Sequence, residues 1–296
     1  MLSVLIPTYN YNVYPLVKEI HKQLTKQGID FEILVYDDAS TKTFKTNHLL
    51  NDLQNVIHKR FETNQGRTKM RDLLANDAKF EMLLFLDADM FPKDRFFIAK
   101  YLKEIEKNKA DVYFGGLQVA KNPPDKNKIL RWKYGKERES LSIEMRQKFP
   151  YRSIISGALT INRKVFLQVS EKLKNLNRYG LDIYFSYLLK KQNIKVKHFN
   201  NPIIHLGLED SEKFLLKTRK AVETLKFLVS NEMISKDYSK LSKTGYQLKK
   251  IRLCFPVEIF LKIFRKLILN NLLSKTPSLR LFDLYKLYYF CQNKNK

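Results

Sequence analysis

Short apolar runs that stop abruptly at polar or acidic residues constrain this chain more than any other feature. Residues 3–6 run into Pro7-Thr8-Tyr9-Asn10, residues 31–36 into Asp37-Asp38, and residues 82–86 into Asp87-Ala88-Asp89. Segments with helical spacing lie between them. Leu16, Val17, Ile20 and Leu24 share one face of a helix predicted over 13–27, which Gly28 stops. Residues 46–53, 68–76 and 95–108 read as further helices, and 56–58 and 111–114 as further strands. Continuous apolar strands alternating with helices make a mostly parallel sheet covered on both faces. Such sheets bind ligands outside the carboxyl ends of their strands, where the three polar clusters fall.

Beyond residue 153 the pattern is mixed: a strand over 154–161, helices over 164–174 and 182–191, and a strand over 194–198. Residues 121–136 are polar and basic and are expected to form a loop. After Gly207 only Gly245 remains, and the segment reads as helices. A helix predicted over 257–269 carries Ile259, Phe260, Ile263, Phe264 and Leu267 on one face. Glu258, Lys262, Arg265 and Lys266 lie on the other.

Charge and cysteine content narrow the function classes. The 296 residues hold 55 Lys and Arg against 30 Asp and Glu, a net charge of +25, and residues 211–296 alone carry +13. Two cysteines, Cys254 and Cys291, exclude a disulfide framework and a Cys-rich zinc module. The longest stretch free of charged residues, 1–17, contains two prolines and is too short to span a bilayer. It has no preceding positive charge and no small-residue cleavage site, so it is not read as a secretory signal. The expected location is therefore the cytoplasm. No GxGxxG, Walker A, HExxH, CxxC or G-x-S-x-G pattern appears, which argues against dinucleotide dehydrogenases, nucleotide hydrolases, zinc proteases and serine hydrolases.

Asp87-Ala88-Asp89 carries the clearest chemistry. A hard divalent cation with bound phosphates needs one or two protein carboxylates and keeps its other positions for substrate oxygens. A turn at the end of a buried strand can aim one carboxylate at such an ion and the other at a sugar hydroxyl.

Taken with its neighbours, this motif resembles the inverting nucleotide-sugar transferases of glycosyltransferase family 2, which have the GT-A fold. The matching residues are Ser3-Val4-Leu5-Ile6-Pro7-Thr8-Tyr9-Asn10, Val35-Tyr36-Asp37-Asp38-Ala39-Ser40-Thr41, Asn64-Gln65-Gly66 with Arg71, and Leu86-Asp87-Ala88-Asp89. Ser156-Gly157-Ala158, Asn162-Arg163 and Gly180-Leu181-Asp182 follow, so the resemblance covers roughly 1–207. It implies an α/β GT-A sheet with flanking helices over 1–210, plus a basic helical C-terminal extension over 211–296. The catalytic part divides into a nucleotide-binding half (1–115) and an acceptor half (116–210).

The resemblance also implies roles. Pro7, Thr8 and Tyr9 would line a uracil pocket, with Asp38 accepting the base N–H. Arg71 would contact the nucleotide, unless it pairs with Asp72 or Asp77 on a helix surface. Asp37 reads better as a turn residue than as a ligand contact. Asp87 would lie near the ribose, with Ala88 beside it on the donor, and Asp89 would bind Mn²⁺ or Mg²⁺. His205, in Pro202-Ile203-Ile204-His205-Leu206-Gly207, would complete the metal or diphosphate site or serve structurally. Asp182 would be the general base that takes the acceptor proton, or an N-cap of the following helix. Relatives commonly show two acidic residues at that point, and Leu181 stands here in place of the first.

The implied activity is transfer of a sugar from a UDP-linked or similar donor to a glycan or lipid-linked acceptor in surface polysaccharide or glycolipid synthesis. The basic helices would either contact the inner face of the cell membrane peripherally or pack on the catalytic part with their lysines solvated. Two other classes fit part of the sequence. A nucleic-acid-binding protein suits the charge, although rim carboxylates repel phosphate unless metal is bound. A nucleotidyltransferase suits the sheet and acidic site, but the loop after the first strand lacks the expected glycines and basic residues.

Overall fold

The computed structural model describes residues 1–152 and 154–292. The first apolar run becomes β1 (Leu2–Thr8), in which Leu2, Val4, Leu5 and Ile6 are wholly buried. Burial on both faces requires covering helices, and α1 (Tyr14–Thr25) supplies one with Leu16, Val17, Ile20 and Leu24. Pro15 lies in its first turn, where a missing N–H has no intrahelical partner to lose. β2 (Phe31–Asp37) pairs parallel with β1 from Leu2 opposite Phe31 to Thr8 opposite Asp37. β3 (Val56–Arg60) pairs parallel with β2. A 3₁₀ turn over Asn47–Asp52 replaces the helix predicted there. α2 (Arg67–Asp77) then leads to β4 (Met82–Leu86), which pairs parallel with β1 on its other side. The order β3-β2-β1-β4 thus changes direction at β1. The crevice between the carboxyl ends of β1 and β4 is the switch point where such sheets bind ligands.

The chain continues through β5 (Met90–Pro92), α3 (Phe97–Glu106), β6 (Val112–Phe114), β7 (Leu117–Val119), α4 (Ile129–Tyr134) and α5 (Ile143–Lys148). β8 (Ala158–Asn162), α6 (Arg163–Ser170), α7 (Asp182–Lys191), β9 (Val196–His198) and β10 (Ile203–His205) follow. The main sheet has the order β3-β2-β1-β4-β8-β6-β9, with β8 antiparallel to both β4 and β6. A three-stranded sheet, β5-β10-β7, sets β10 antiparallel to β5 and parallel to β7.

Two compact units emerge. The first comprises 1–119, 139–177 and 188–207 and contains both sheets. The second comprises 120–138, 178–187 and 208–296. It holds α4, α8 (Ser211–Ser230), α9 (Lys240–Lys250), α10 (Cys254–Ile263), α11 (Arg265–Leu272) and α12 (Leu279–Cys291). Residues 120–138 and 178–187 thus group with the C-terminal helices, whereas the sequence pattern places the boundary at 210. Residues 293–296 lie outside the described residues.

Three expectations need correction. β1 runs through Pro7 to Thr8 instead of stopping at the proline; its ladder with β4 ends at Leu5, so that flank is locally an edge. The expected loop over 121–136 is helical from Lys126 onward, because Leu130 and Tyr134 give α4 an apolar anchor: Leu130 is buried and Tyr134 packs on Phe214 and Phe282. The helix over 257–269 starts earlier, at Cys254, with Pro256 tolerated in its first turn. It is interrupted at Phe264 (φ −85°, ψ 3°). No helix among the described residues is long and apolar enough to cross a membrane.

Candidate active site

The loops at the carboxyl ends of β1 and β2 are tied to each other by polar side chains. Asn10 takes a left-handed conformation (φ 53°), and its Oδ1 accepts from the amides of Thr41 (2.8 Å) and Lys42 (2.9 Å). Its own amide donates to Ser40 Oγ at 2.7 Å. Asp37 Oδ1 accepts from the Ser40 amide at 2.8 Å, so Asp37 is a turn residue. Asp38 is buried, and its two oxygens accept one amide each, Gln65 at 2.5 Å and Gly66 at 3.0 Å. A carboxylate oxygen has room for a second bond. Thr8 is also buried, and its hydroxyl has no partner among the described residues. Pro7 precedes it in the strand, and Tyr9 beside it is half exposed.

The acidic motif after β4 is held by three separate devices. Asp87 pairs with Arg71 on one oxygen and with Arg67 on the other. Burial would raise the Asp87 pKa, but the Arg67 and Arg71 charges outweigh it and hold the carboxyl below its usual range. Arg71 is therefore a buried partner of the motif. Asp77 instead receives the Tyr36 hydroxyl, and Asp72 receives Ser170 Oγ at 2.8 Å. The second device is Gly157, whose carbonyl accepts the Asp87 amide at 2.8 Å. A Cβ at Gly157 would collide with the Asp87 carboxylate, so only glycine fits this approach. Gly207 stands in the same relation to the Asp89 carboxylate.

The third device is the small sheet. Antiparallel pairing puts His205 of β10 opposite Met90 of β5, immediately after Asp89. His205 Nε2 consequently lies 3.1 Å from Asp89 Oδ2 across 116 residues of sequence, and the Leu206 amide donates to the Asp89 carbonyl at 2.8 Å. As it stands this contact is a hydrogen bond, and the same separation matches the ~3.0 Å between adjacent ligands of an octahedral ion at ~2.1 Å. No cluster of three or more His, Cys, Asp or Glu suited to a metal occurs among the described residues. A two-residue donor set suits an ion whose other ligands are phosphate oxygens and water. Tyr11 also faces this site: burial raises its pKa, and the Asp89 charge raises it further.

The structure brings Asp87 together with Arg71, and Asp89 with His205, while Ala88 between the carboxylates is partly exposed. Asp182 belongs to the second unit. It is the first residue of α7, where a carboxylate meets the positive end of the helix dipole. Its neighbour Gly180 (φ +89°) packs against Ala221 of α8. Arg67, Tyr11 and Gly207 escaped the sequence reading. The spacing of Arg67 and Arg71, one helical turn apart just after Gly66, was the available signal for the first.

The sequence profile of Glycosyl transferase family 2 matches residues 3–169, more than half of the chain. The chain belongs to glycosyltransferase family 2. The matched stretch contains Pro7, Thr8, Tyr9, Asp38, Arg67, Arg71, Asp87, Ala88 and Asp89, and ends before Asp182 and His205. A relative named "Uncharacterized glycosyltransferase" from Haemophilus influenzae is 34% identical over 110 residues, 36% of this chain and 35% of the relative. The chain therefore aligns with about a third of that protein's length. Among solved structures, the mannosyltransferase PcManGT from Pyrobaculum calidifontis, in complex with GDP-Man and Mn²⁺, is similar with a TM-score of 0.51 and 15% identity. The match covers 77% of this chain and 64% of that one. S. aureus TarS in complex with UDP-GlcNAc matches with a TM-score of 0.46 and 20% identity, covering 75% and 65%. The likeness to PcManGT supports the GT-A fold expected of family 2: a mostly parallel sheet with flanking helices, followed here by C-terminal helices.

Proposed function

We propose that this chain transfers a sugar from a nucleotide-diphosphate donor to an acceptor hydroxyl with inversion at the anomeric carbon. The observation that carries the reading is the pairing of Asp89 Oδ2 with His205 Nε2, 3.1 Å apart, at the switch point of a family 2 sheet. Asp89 and His205 are the residues that would hold Mn²⁺ or Mg²⁺. Such an ion, when bound, neutralises charge on the departing diphosphate.

The chain's own residues divide the remaining work. Asp38 fixes the turn before α2 and offers its unused lone pairs to the N–H of a uracil base. Tyr9, half exposed, offers its ring beside it, and Pro7 and Thr8 form the pocket floor. Arg71 and Arg67 hold the Asp87 carboxylate ionised, so that it accepts hydrogen bonds from the ribose, with Ala88 lying along the donor. Asp182 would act as the general base that takes the proton of the attacking hydroxyl. The acceptor in this reading is a glycan or a lipid-linked saccharide in the cytoplasm, on the route to surface polysaccharide or glycolipid.

A screen of UDP- and GDP-linked sugars for slow metal-dependent hydrolysis tests the reading without a known acceptor. Release of nucleoside diphosphate from one donor, lost on chelation and lost in Asp89→Ala, is the expected result. Hydrolysis that continues unchanged in Asp89→Ala would refute it.

A further inference from the structure

α10 and α11 have two apolar stripes, and only one is used inside the second unit. Leu261, Ile268 and Leu272 are buried. On the other stripe Phe255, Ile259, Phe260, Ile263, Phe264 and Leu267 are exposed, Phe255 by 71% and Ile263 by 70%. Ile251 and Leu253 extend this exposed run toward α9. A contiguous apolar patch of this kind marks an interaction surface.

The charges around it say which kind. Arg252, Lys262, Arg265 and Lys266 stand exposed in the same segment, against the single acid Glu258. Just upstream, Lys236, Lys243, Lys249 and Lys250, with the single acid Asp237, line a cleft of about 560 Å³ together with Tyr246, over whose ring Lys236 lies at 5.3 Å. We infer that this face of α10–α11 is a membrane-docking surface for an anionic lipid bilayer. The exposed Phe, Ile and Leu side chains enter the boundary between headgroups and acyl chains, and the flanking lysines and arginines meet lipid phosphates. A second copy of the chain fits the surface poorly, because self-association about a two-fold axis would bring like charges together. Nucleic acid satisfies the cations but leaves the aliphatic stripe without a partner. The inference rests on this surface alone and is independent of the transferase reading.

Co-sedimentation of the full chain with vesicles tests it. Phosphatidylcholine vesicles, equimolar phosphatidylcholine–phosphatidylglycerol vesicles and a labelled oligonucleotide are the probes. The chain should partition onto the anionic vesicles and much less onto the neutral ones. The double variant Phe260→Ser, Ile263→Ser, in exposed positions that leave the buried stripe intact, should lower the partition at least about tenfold with an unchanged circular dichroism spectrum. Lys262→Glu with Lys266→Glu should lower it as well and weaken its salt dependence. Equal binding of the wild type and the Phe260→Ser, Ile263→Ser variant would overturn the inference. So would a failure to sediment with any vesicle. A wild-type dimer that this variant converts to a monomer would reassign the face to a second copy, and tight oligonucleotide binding without vesicle binding would reassign it to nucleic acid.

Discussion

At the scale of single residues, the site depends on who holds each carboxylate. Asp89 has His205 beside it at 3.1 Å and Gly207 behind it; Asp87 has two arginines in front and Gly157 behind it. Replacing Asp89 by Ala should lower turnover by about 10²–10³-fold, because the divalent ion proposed to offset charge on the leaving diphosphate would lose its carboxylate ligand. Steady-state rates with a saturating donor measure this, and thermal unfolding should show the fold intact. The two arginines should not be equivalent. Arg71 is buried, so Arg71→Ala should cost about 1–3 kcal/mol by denaturant unfolding, whereas the half-exposed Arg67 should cost less than about 1 kcal/mol as Ala. A larger loss from Arg67 than from Arg71 would contradict the geometry. Gly157→Ala should behave as an overpacked site, destabilising by about 1–3 kcal/mol and displacing Asp87. Thermal unfolding and donor affinity measured on the same variant test both effects.

At the scale of elements, β9 carries a pH-sensitive contact that has no part in the proposed chemistry. His198 is buried; its Nε2 lies 2.8 Å from the Pro150 carbonyl and its Nδ1 faces Arg146. The Pro150 carbonyl can only accept, so Nε2 carries a proton, and the Arg146 guanidinium can only donate, so Nδ1 accepts and the folded ring is neutral. Burial lowers the His198 pKa from 6.5 to about 4. Between those values the unfolded chain binds a proton that the folded chain refuses, so stability should fall as pH falls through this window. The slope attributable to this residue is at most ~1.4 kcal/mol per pH unit. Asp87 acts at still lower pH: its folded-state value is depressed, so its contribution is present above the ordinary carboxylate range and lost as pH falls through the lowered value. Denaturant unfolding of His198→Gln at several pH values should give a flatter profile than the wild type between pH 6.5 and about 4. α7 offers a different test. If Asp182 is the base, Asp182→Asn should keep donor affinity and lose transfer; loss of both would make it structural.

The same scale shows what the sequence could reveal. β4 stands at the predicted bounds, because five apolar residues between Glu81 and Asp87 leave no other reading. The strands on either side of the switch point were legible for the same reason, and with them Thr8, Asp38, Asp87 and Asp89. Arg67 was missed because its partner Asp87 is joined to it only by the three-dimensional path of α2 and β4. The His205–Asp89 neighbourhood was inferred from family likeness, since its cause, the antiparallel pairing of β5 with β10, leaves no periodic trace in three-residue strands. The polar segment over 121–136 misled because Leu130 and Tyr134 are too few to set a period, yet suffice once Phe214 and Phe282 are present to pack against.

For the whole molecule, the +25 charge and the carboxylate-bearing rim make opposite demands on an anionic donor. The lysines and arginines would favour its approach at long range, whereas Asp87 and Asp89 would repel it at the proposed site unless Arg67, Arg71 and a divalent ion offset them. Donor association should therefore slow as salt is raised, which stopped-flow mixing at two ionic strengths would read. In the proposed reading, the same balance would make metal and nucleotide binding mutually dependent. Thermal unfolding with UDP and Mn²⁺, added singly and together, to the wild type and to Asp89→Ala is the most direct test of the central claim. UDP and Mn²⁺ together should stabilise the wild type by about 2.7 kcal/mol at a hundredfold excess over Kd, with far smaller shifts from either alone and none beyond those in Asp89→Ala. An equal joint shift in Asp89→Ala, or no joint shift in the wild type, would contradict a nucleotide-sugar site built on that carboxylate.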